Sequence, residues 1–384
     1  MATKINLYQN NTKFLSLQKE QNYITLKTSN QIYQTTKLPP ILDNILPEGV
    51  NREVIEMKYK LSKNNDFGVL SVIDDALGGI NTSNIKTIFI NPTIEKFNEY
   101  ENIQNFEIID DEILSNLKYP TKKIKLTKNK LSGLSGQQPK ITAILENNII
   151  RKTENNEYSN IIIKLENNEY PKINLIENIY LKSAKKCGLD VIESFILYDE
   201  EIEKSEFLRL PKQHLIIKRF DRDYNNNKTI ECYELATIMN KFSKEKYEVS
   251  LEEIMEFLSS KIEKTELEKI AKYYYISYIA KNGDAHIKNI TFFNINGKLK
   301  VAPFYDIVNT AIYGFSESLG ISLYKDKEVM QFKETELRTL LNKYVKINFD
   351  DIKQIFIRNV YQELDKLVKV DLLSENFKNK IVLK

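Results

Sequence analysis

Short runs of alternating apolar and polar residues fill the chain from Ile5 to about Ile90, among them Phe14-Leu15-Ser16-Leu17 and Tyr23-Ile24-Thr25-Leu26. A period of two places every second side chain on one face, so this stretch is expected to form a small strand-rich unit. Pro39-Pro40 marks a turn before the apolar run Ile41 to Ile45. Behind Pro47-Glu48-Gly49 the spacing predicts a helix over Asn51 to Leu61, and a second over Asp66 to Ile73 that ends near Gly78-Gly79. Further on, Ile161 to Leu165 and Leu215 to Phe220 read as strands, whereas Ile173 to Cys187, Leu251 to Lys261 and Leu267 to Ala280 have helical spacing. Leu337 to Lys384 reads as helical closing structure. Strands come first and helices later, with no internal repeat.

A boundary falls where the periodicity gives way to lysines at 118, 122, 123, 125, 128 and 130, with Pro120 and no acidic residue among them. A solvated connector is the commoner meaning of such a run, and a strip for phosphate or nucleic acid the functional one. The expected organisation is thus residues 1–117, a basic connector at 118–130, and a larger domain at 131–384. Within the last, a strand-bearing part covers about 131–225 and a helical lobe about 226–384.

Composition narrows the function classes. With 384 residues, 42% hydrophobic and 28% charged, the chain can bury more than one core and is not of disordered type. A net charge of +3 gives no overall field for a polyanion. The two cysteines, Cys187 and Cys232, form no CxxC and have no histidine at ligand spacing, so neither a disulfide framework nor a zinc site is expected and a reducing cytoplasm fits best. Met1 to Asn11 is polar and no 18 apolar residues run together, which supports neither a signal peptide nor a membrane span.

The most informative passage is Asn282-Gly283-Asp284-Ala285-His286-Ile287-Lys288-Asn289, followed by Ile290 to Asn294, Asn296-Gly297, Leu299 to Ala302 and Pro303-Phe304-Tyr305-Asp306. Asn-Gly between two short apolar runs signals a type I′ hairpin. The chain would double back there and bring Asp284, Asn289 and Asp306 together at one end of the hairpin. Protein kinases place a catalytic-loop Asp, an Asn five positions later, a hairpin and a second metal-binding Asp in that order. One carboxylate would orient the attacking hydroxyl, and an amide oxygen and a second carboxylate would hold a hard cation against phosphates. His286 and Lys288, within the loop, are candidates for neutralising the migrating phosphoryl group; a structural histidine is the equal alternative for His286.

Upstream, Ser132-Gly133-Leu134-Ser135-Gly136-Gln137-Gln138-Pro139-Lys140 has two glycines and two hydroxyls before an apolar run, so its backbone could approach phosphates. It lacks the GxxxxGK spacing of a P-loop. Lys164 ends the run Ile161-Ile162-Ile163 where a kinase has its nucleotide-pairing lysine, and Glu177 in the following helix is the candidate partner for it. Lys218-Arg219-Phe220-Asp221-Arg222 closes a further strand where a kinase offers a hinge to adenine.

Together these residues resemble the HipA family of bacterial toxin kinases over nearly the full chain. Leu134-Ser-Gly-Gln-Gln-Pro-Lys140 looks like the family's phosphate loop, Arg219-Phe-Asp-Arg222 its hinge, Asn282 to Asn289 its catalytic loop and Pro303 to Asp306 its metal motif. In the N-terminal part, Asn44 to Gly49 with Arg52-Glu53, then Asp66-Phe67 and Gly78-Gly79, look like the family's small first subdomain. The resemblance implies an α+β, bilobal fold similar to eukaryotic protein kinases, with a small N-terminal α/β subdomain and a helical C-terminal lobe. It implies a Ser/Thr protein kinase toxin of a type II toxin–antitoxin pair, using ATP and Mg2+. Asp284 would be catalytic, with His286 and Lys288; Asn289 and Asp306 would hold the metal. Ser135, Gly136, Gln138, Lys140, Lys164, Glu177, Lys218 and Phe220 would serve ATP. The implied partners are a cellular protein substrate such as an aminoacyl-tRNA synthetase and a HipB-like DNA-binding antitoxin, through which alone DNA would be met.

Two departures stand out. Gly133 occupies the loop position where many members carry an autophosphorylated Ser, leaving Ser132 and Ser135 as the hydroxyls available. Lys218 stands where an acidic residue often precedes the hinge run. A catalytically silent co-repressor module and a small-molecule kinase are the alternative readings.

Overall fold

The structure, a computed structural model, describes residues 4–82, 92, 103–104, 107–108, 138–154, 157–166, 169–197, 213–325, 332–370 and 372–384. The lysine strip at 118–130 lies outside the described residues, as do Ser132, Ser135 and Gly136. Two compact units emerge: Met1–Asn174 with Glu193–Tyr233, and Leu175–Ile192 with Glu234–Lys384.

The first unit opens with the strand-rich module that the alternation predicts. Strands β1 (Lys4–Gln9), β2 (Thr12–Lys19), β3 (Ile24–Lys27) and β4 (Ile32–Thr35) form an antiparallel meander in sequential order. Asn10 and Asn11 both take positive φ in the first turn, as a two-residue hairpin requires and as asparagine tolerates. The buried face of the meander, with Ile5, Leu7, Leu15, Leu17 and Leu26, packs with Leu42, Ile55, Val69 and Leu70 from short helices. The expected helix over Asn51 to Leu61 is Gly49–Lys58, and that over Asp66 to Ile73 is Asp66–Leu70, started by Asn65, whose side-chain oxygen accepts the Gly68 N–H.

A seven-stranded sheet follows. It takes in β5 (Ile103–Gln104), β6 (Glu107–Ile108), β7 (Lys140–Glu146), β8 (Ile149–Arg151), β9 (Ile161–Lys164), β10 (Ser194–Leu197) and β11 (His214–Lys218), in the order β5-β10-β11-β9-β7-β8-β6. Strand β9 lies antiparallel between β7 and β11, which sets Lys140 and Leu215 directly opposite Lys164. Ala143, Ile161, Ile163, Leu165 and Ile216 form the core of this part.

Within this unit the run after β11 is anchored by charge. Arg219 bonds Asp221 through Nη2 at 2.7 Å, and Arg222 bonds the same carboxylate at 2.9 Å and also Asp75. The Asp75 carboxylate accepts from the Ser159 hydroxyl at 2.6 Å, and Asp221 accepts the Gly78 N–H at 2.9 Å. All of these side chains are buried. Burial alone would push the Asp221 carboxyl up, but the Arg219 and Arg222 guanidiniums outweigh it and hold it far below the usual carboxylate range. The charged side chains of the motif expected at an adenine hinge thus fasten the 75–78 segment to the sheet.

The second unit is mostly helical: Ile173–Lys186 from Leu175 onward, which the sequence placed in the strand-bearing part, then Leu251–Ser259, Lys264–Ile279, Glu334–Asn342 and Phe349–Lys369. Ser250 and Glu253 form a capping box at the start of the second of these. The Lys264–Ile279 helix is buried along nearly its whole second half, with Tyr273, Tyr274 and Tyr275 in the core. The predicted hairpin is present as Thr291–Ile295 and Lys298–Val301, joined by Asn296 and Gly297 at positive φ. Among the described residues no helix is long and apolar enough to cross a membrane.

Two stability predictions follow from the ionic cluster. Asp75→Ala strips Arg222 of one of its two carboxylates in a dry site, and is expected to lower the unfolding free energy in urea by about 3–5 kcal/mol. Because the folded-state pKa of Asp221 is depressed, its stabilisation is complete above the unfolded value of roughly 3.9 and is lost as pH falls below it. Asp221→Asn should therefore flatten the acid limb of a stability-against-pH curve, and an unchanged limb would assign it to other carboxylates.

Candidate active site

The candidate loop begins where the buried Lys264–Ile279 helix ends. Lys281 turns the chain with a positive φ, and Asn282 follows, wholly buried. The Asn282 carboxamide works in two directions: Nδ2 donates to the Asp306 carbonyl at 2.9 Å, and Oδ1 accepts the Asp284 N–H at 3.2 Å. Gly283 donates its N–H to the Thr310 hydroxyl at 2.8 Å. A Cβ there would come within 2.9 Å of both that hydroxyl and the Ser316 carbonyl oxygen, so only glycine fits without displacing backbone.

Asp306 itself has φ +55, a left-handed backbone that L-residues adopt rarely. Glu177, buried on the Ile173–Lys186 helix, accepts its N–H at 3.2 Å. Asp306 is therefore clamped at N–H by Glu177 and at C=O by Asn282. The Glu177 carboxylate, expected from the sequence to serve Lys164, holds this backbone N–H. Asn289, also buried, donates Nδ2 to the Asp284 carbonyl at 2.8 Å, which turns its Oδ1 the other way. Asp284, Asn289 and Asp306 are thus brought together, as the hairpin predicts.

The oxygens on offer are one amide and two carboxylates. Among the described residues no three His, Cys, Asp or Glu side chains group as a protein-only metal cage. Magnesium does not need one, because it takes one or two protein oxygens and completes its octahedron with phosphates and water. The donor set fits that ion with a phosphate ligand.

The two basic loop residues separate. Lys288 is buried, with Nζ 3.3 Å from the Ser243 hydroxyl and 3.4 Å from the buried Glu234 carboxylate. Its charge faces that carboxylate, an arrangement that braces the loop. His286 lies with Nε2 3.7 Å from Asp284 Oδ1. The same oxygen accepts a hydrogen bond from the Tyr247 hydroxyl. Tyr273 on the Lys264–Ile279 helix is fully buried. Burial, and after it the charge of Asp306, pushes its pKa well up, which keeps the phenol neutral. Glu234, Tyr247 and Thr310 were not among the expected site residues, since each acts across a sequence gap that local pattern does not encode.

In the first unit, Lys140 and Lys164 stand side by side on one face of the sheet, the Lys164 side chain being buried. Gln138 donates to the Asn174 side chain at 2.6 Å and to the Leu165 carbonyl at 3.2 Å, bracing the start of β7. Lys218 reaches Glu193 at 3.4 Å and lies over the Tyr224 ring, and Phe220 is half-buried.

Comparison with known proteins agrees on one family. The family model of the HipA-like C-terminal domain matches residues 132–367, and that of the HipA N-terminal domain matches residues 7–81. Among solved structures, the chain is similar to one in the Shewanella oneidensis MR-1 toxin–antitoxin complex of HipA, HipB and operator DNA, with TM-score 0.70 and 18% identity over 98% of this chain and 94% of the other. At that identity the likeness is one of fold. The Helicobacter pylori proinflammatory kinase CtkA matches at TM-score 0.34 and 14% identity, over 64% of this chain and 93% of its own, too distant to bear on the argument. No curated protein matches the sequence.

Asn282→Ala would remove the buried carboxamide that bonds the Asp306 carbonyl and the Asp284 N–H. A loss of about 2–4 kcal/mol in unfolding free energy is expected from denaturant titration; a change within a few tenths would mean that water replaces the amide.

Proposed function

The chain belongs to the HipA family, and we propose that it is an ATP- and Mg2+-dependent serine/threonine protein kinase, the toxin of a type II toxin–antitoxin pair. The observation that carries this reading is the convergence of Asp284, Asn289 and Asp306 on one clamped loop. Bound Mg-ATP would supply the transferable phosphoryl group and the countercharge on its oxygens. Asn289 through Oδ1 and Asp306 through its carboxylate would hold the cation. Asp284, whose side chain is half exposed, would accept the hydrogen bond of the incoming hydroxyl and fix it for in-line attack. Lys164 and Lys140, with Ser135, Gly136 and Gln138, would serve the phosphates, and Phe220 and Lys218 the adenine side. Lys288 would hold the loop through Glu234 and Ser243, and Ser132 or Ser135 would be the hydroxyl for self-modification.

The acceptor would be a Ser or Thr of a cellular protein, an aminoacyl-tRNA synthetase being the candidate that the resemblance suggests. A HipB-like DNA-binding antitoxin would silence the enzyme and provide its contact with operator DNA. Cys187 and Cys232 are both buried, and burial pushes the Cys187 thiol up to about 12.

The test is transfer of labelled phosphate from Mg-ATP to the protein itself and to cell-extract proteins. Wild type is expected to label, and Asp284→Ala to label roughly 10²–10⁴-fold more slowly. Equal labelling by both would remove Asp284 from the chemistry, and none by either would favour the silent co-repressor.

A further inference from the structure

Tyr247 is absent from the kinase-like pattern, yet its hydroxyl donates directly to Asp284 Oδ1. We infer that Tyr247 is a positioning residue that fixes the Asp284 carboxylate through Oδ1 and so presents Oδ2 to the acceptor hydroxyl. This inference rests on the kinase reading above. Three observations support it. His286 Nε2 approaches the same oxygen at 3.7 Å, so two groups address Oδ1, while Oδ2 has no protein partner among the described residues and the side chain is 50% exposed. A carboxylate held through one oxygen keeps one direction for the other, whereas an unheld one would rotate about its last bond.

The Tyr247 ring is itself held. It meets the His286 ring edge-to-face, with centroids 5.0 Å apart, and Lys246 Nζ lies 5.4 Å from its centroid. It packs so closely on Gly320 that a Cβ there would stand 3.2 Å from Tyr247 Cε1. The segment carrying it is tied to the candidate loop twice more, by Ile287 N–H to the Lys246 carbonyl at 3.4 Å and by Lys288 to Ser243 at 3.3 Å. A plug that must leave to admit substrate would sit on a loosely held element; this ring is braced.

The test compares wild type and Tyr247→Phe, which keeps the ring and removes only the hydroxyl, in steady-state ADP release from Mg-ATP with casein as the Ser/Thr acceptor. The expected result is a kcat roughly 10-fold lower with KM for ATP within about 2-fold of wild type. The same substitution in the slower Asp284→Asn protein should then change nothing, a readout that a general loss of packing would not give. An unchanged or higher kcat, a change in KM alone, or a full effect persisting in the Asp284→Asn protein would each overturn the assignment. If wild type neither binds nor turns over Mg-ATP, the kinase reading fails, and the inference falls with it by a separate, recognisable result. Should Tyr247→Phe fold poorly, single-turnover rates normalised to its ATP-binding fraction make the same comparison.

Discussion

Asp306 sits at φ +55, where an L-residue is disfavoured by about 1–2 kcal/mol, and the geometry of the candidate site depends on keeping it there. Two buried side chains do so: Glu177 takes its N–H and Asn282 its carbonyl. Because Asn282 also takes the Asp284 N–H, one carboxamide sets the spacing between two carboxylates 22 positions apart in the chain. The Asn289 amide then bonds the Asp284 carbonyl, closing the arrangement. Strain at one residue persists because several neighbours over-determine it, a pattern common at functional sites.

The ionic cluster of the first unit obeys the same rule with charges in place of amides. Arg219, Arg222, Asp75 and Asp221 are buried together, with Ser159 and the Gly78 N–H completing the carboxylates' hydrogen bonds. Burying ions gains little over an apolar core, but removing one member strands the others, so such a cluster fixes one arrangement of the chain more than it adds stability. Gly79 shows how tight that arrangement is, since a Cβ there would fall 2.0 Å from a Thr229 carbon.

What was legible in the sequence was local. Asn296-Gly297 encodes its own turn, so the hairpin and the approach of Asp306 to Asn289 could be read without a structure. Strand alternation located the N-terminal meander, and helical spacing located Leu251–Ser259 and Lys264–Ile279 to within a few residues of their ends. What was not legible depends on long-range pairing. Nothing near Glu177 says that its carboxylate will cap a backbone N–H 129 positions away. Nothing near Lys288 announces Glu234, whose buried carboxylate lies 3.4 Å from its Nζ. Tyr247 lies 37 positions from the carboxylate it touches.

These contacts divide the loop by exposure. Asn282, His286, Lys288 and Asn289 are buried, whereas the Asp284 side chain stands half in solvent. A buried polar group must be satisfied by fixed partners and so becomes part of the scaffold. An exposed carboxylate can exchange its water for a substrate hydroxyl at little cost, provided that its direction is already set. The scaffold supplies that direction through the Asn282 bond to the Asp284 backbone and the Tyr247 bond to its side chain. On the proposed kinase reading, restricting freedom to the one group that would meet the acceptor would concentrate the site's remaining adaptability there, while the buried side chains of the loop stay fixed.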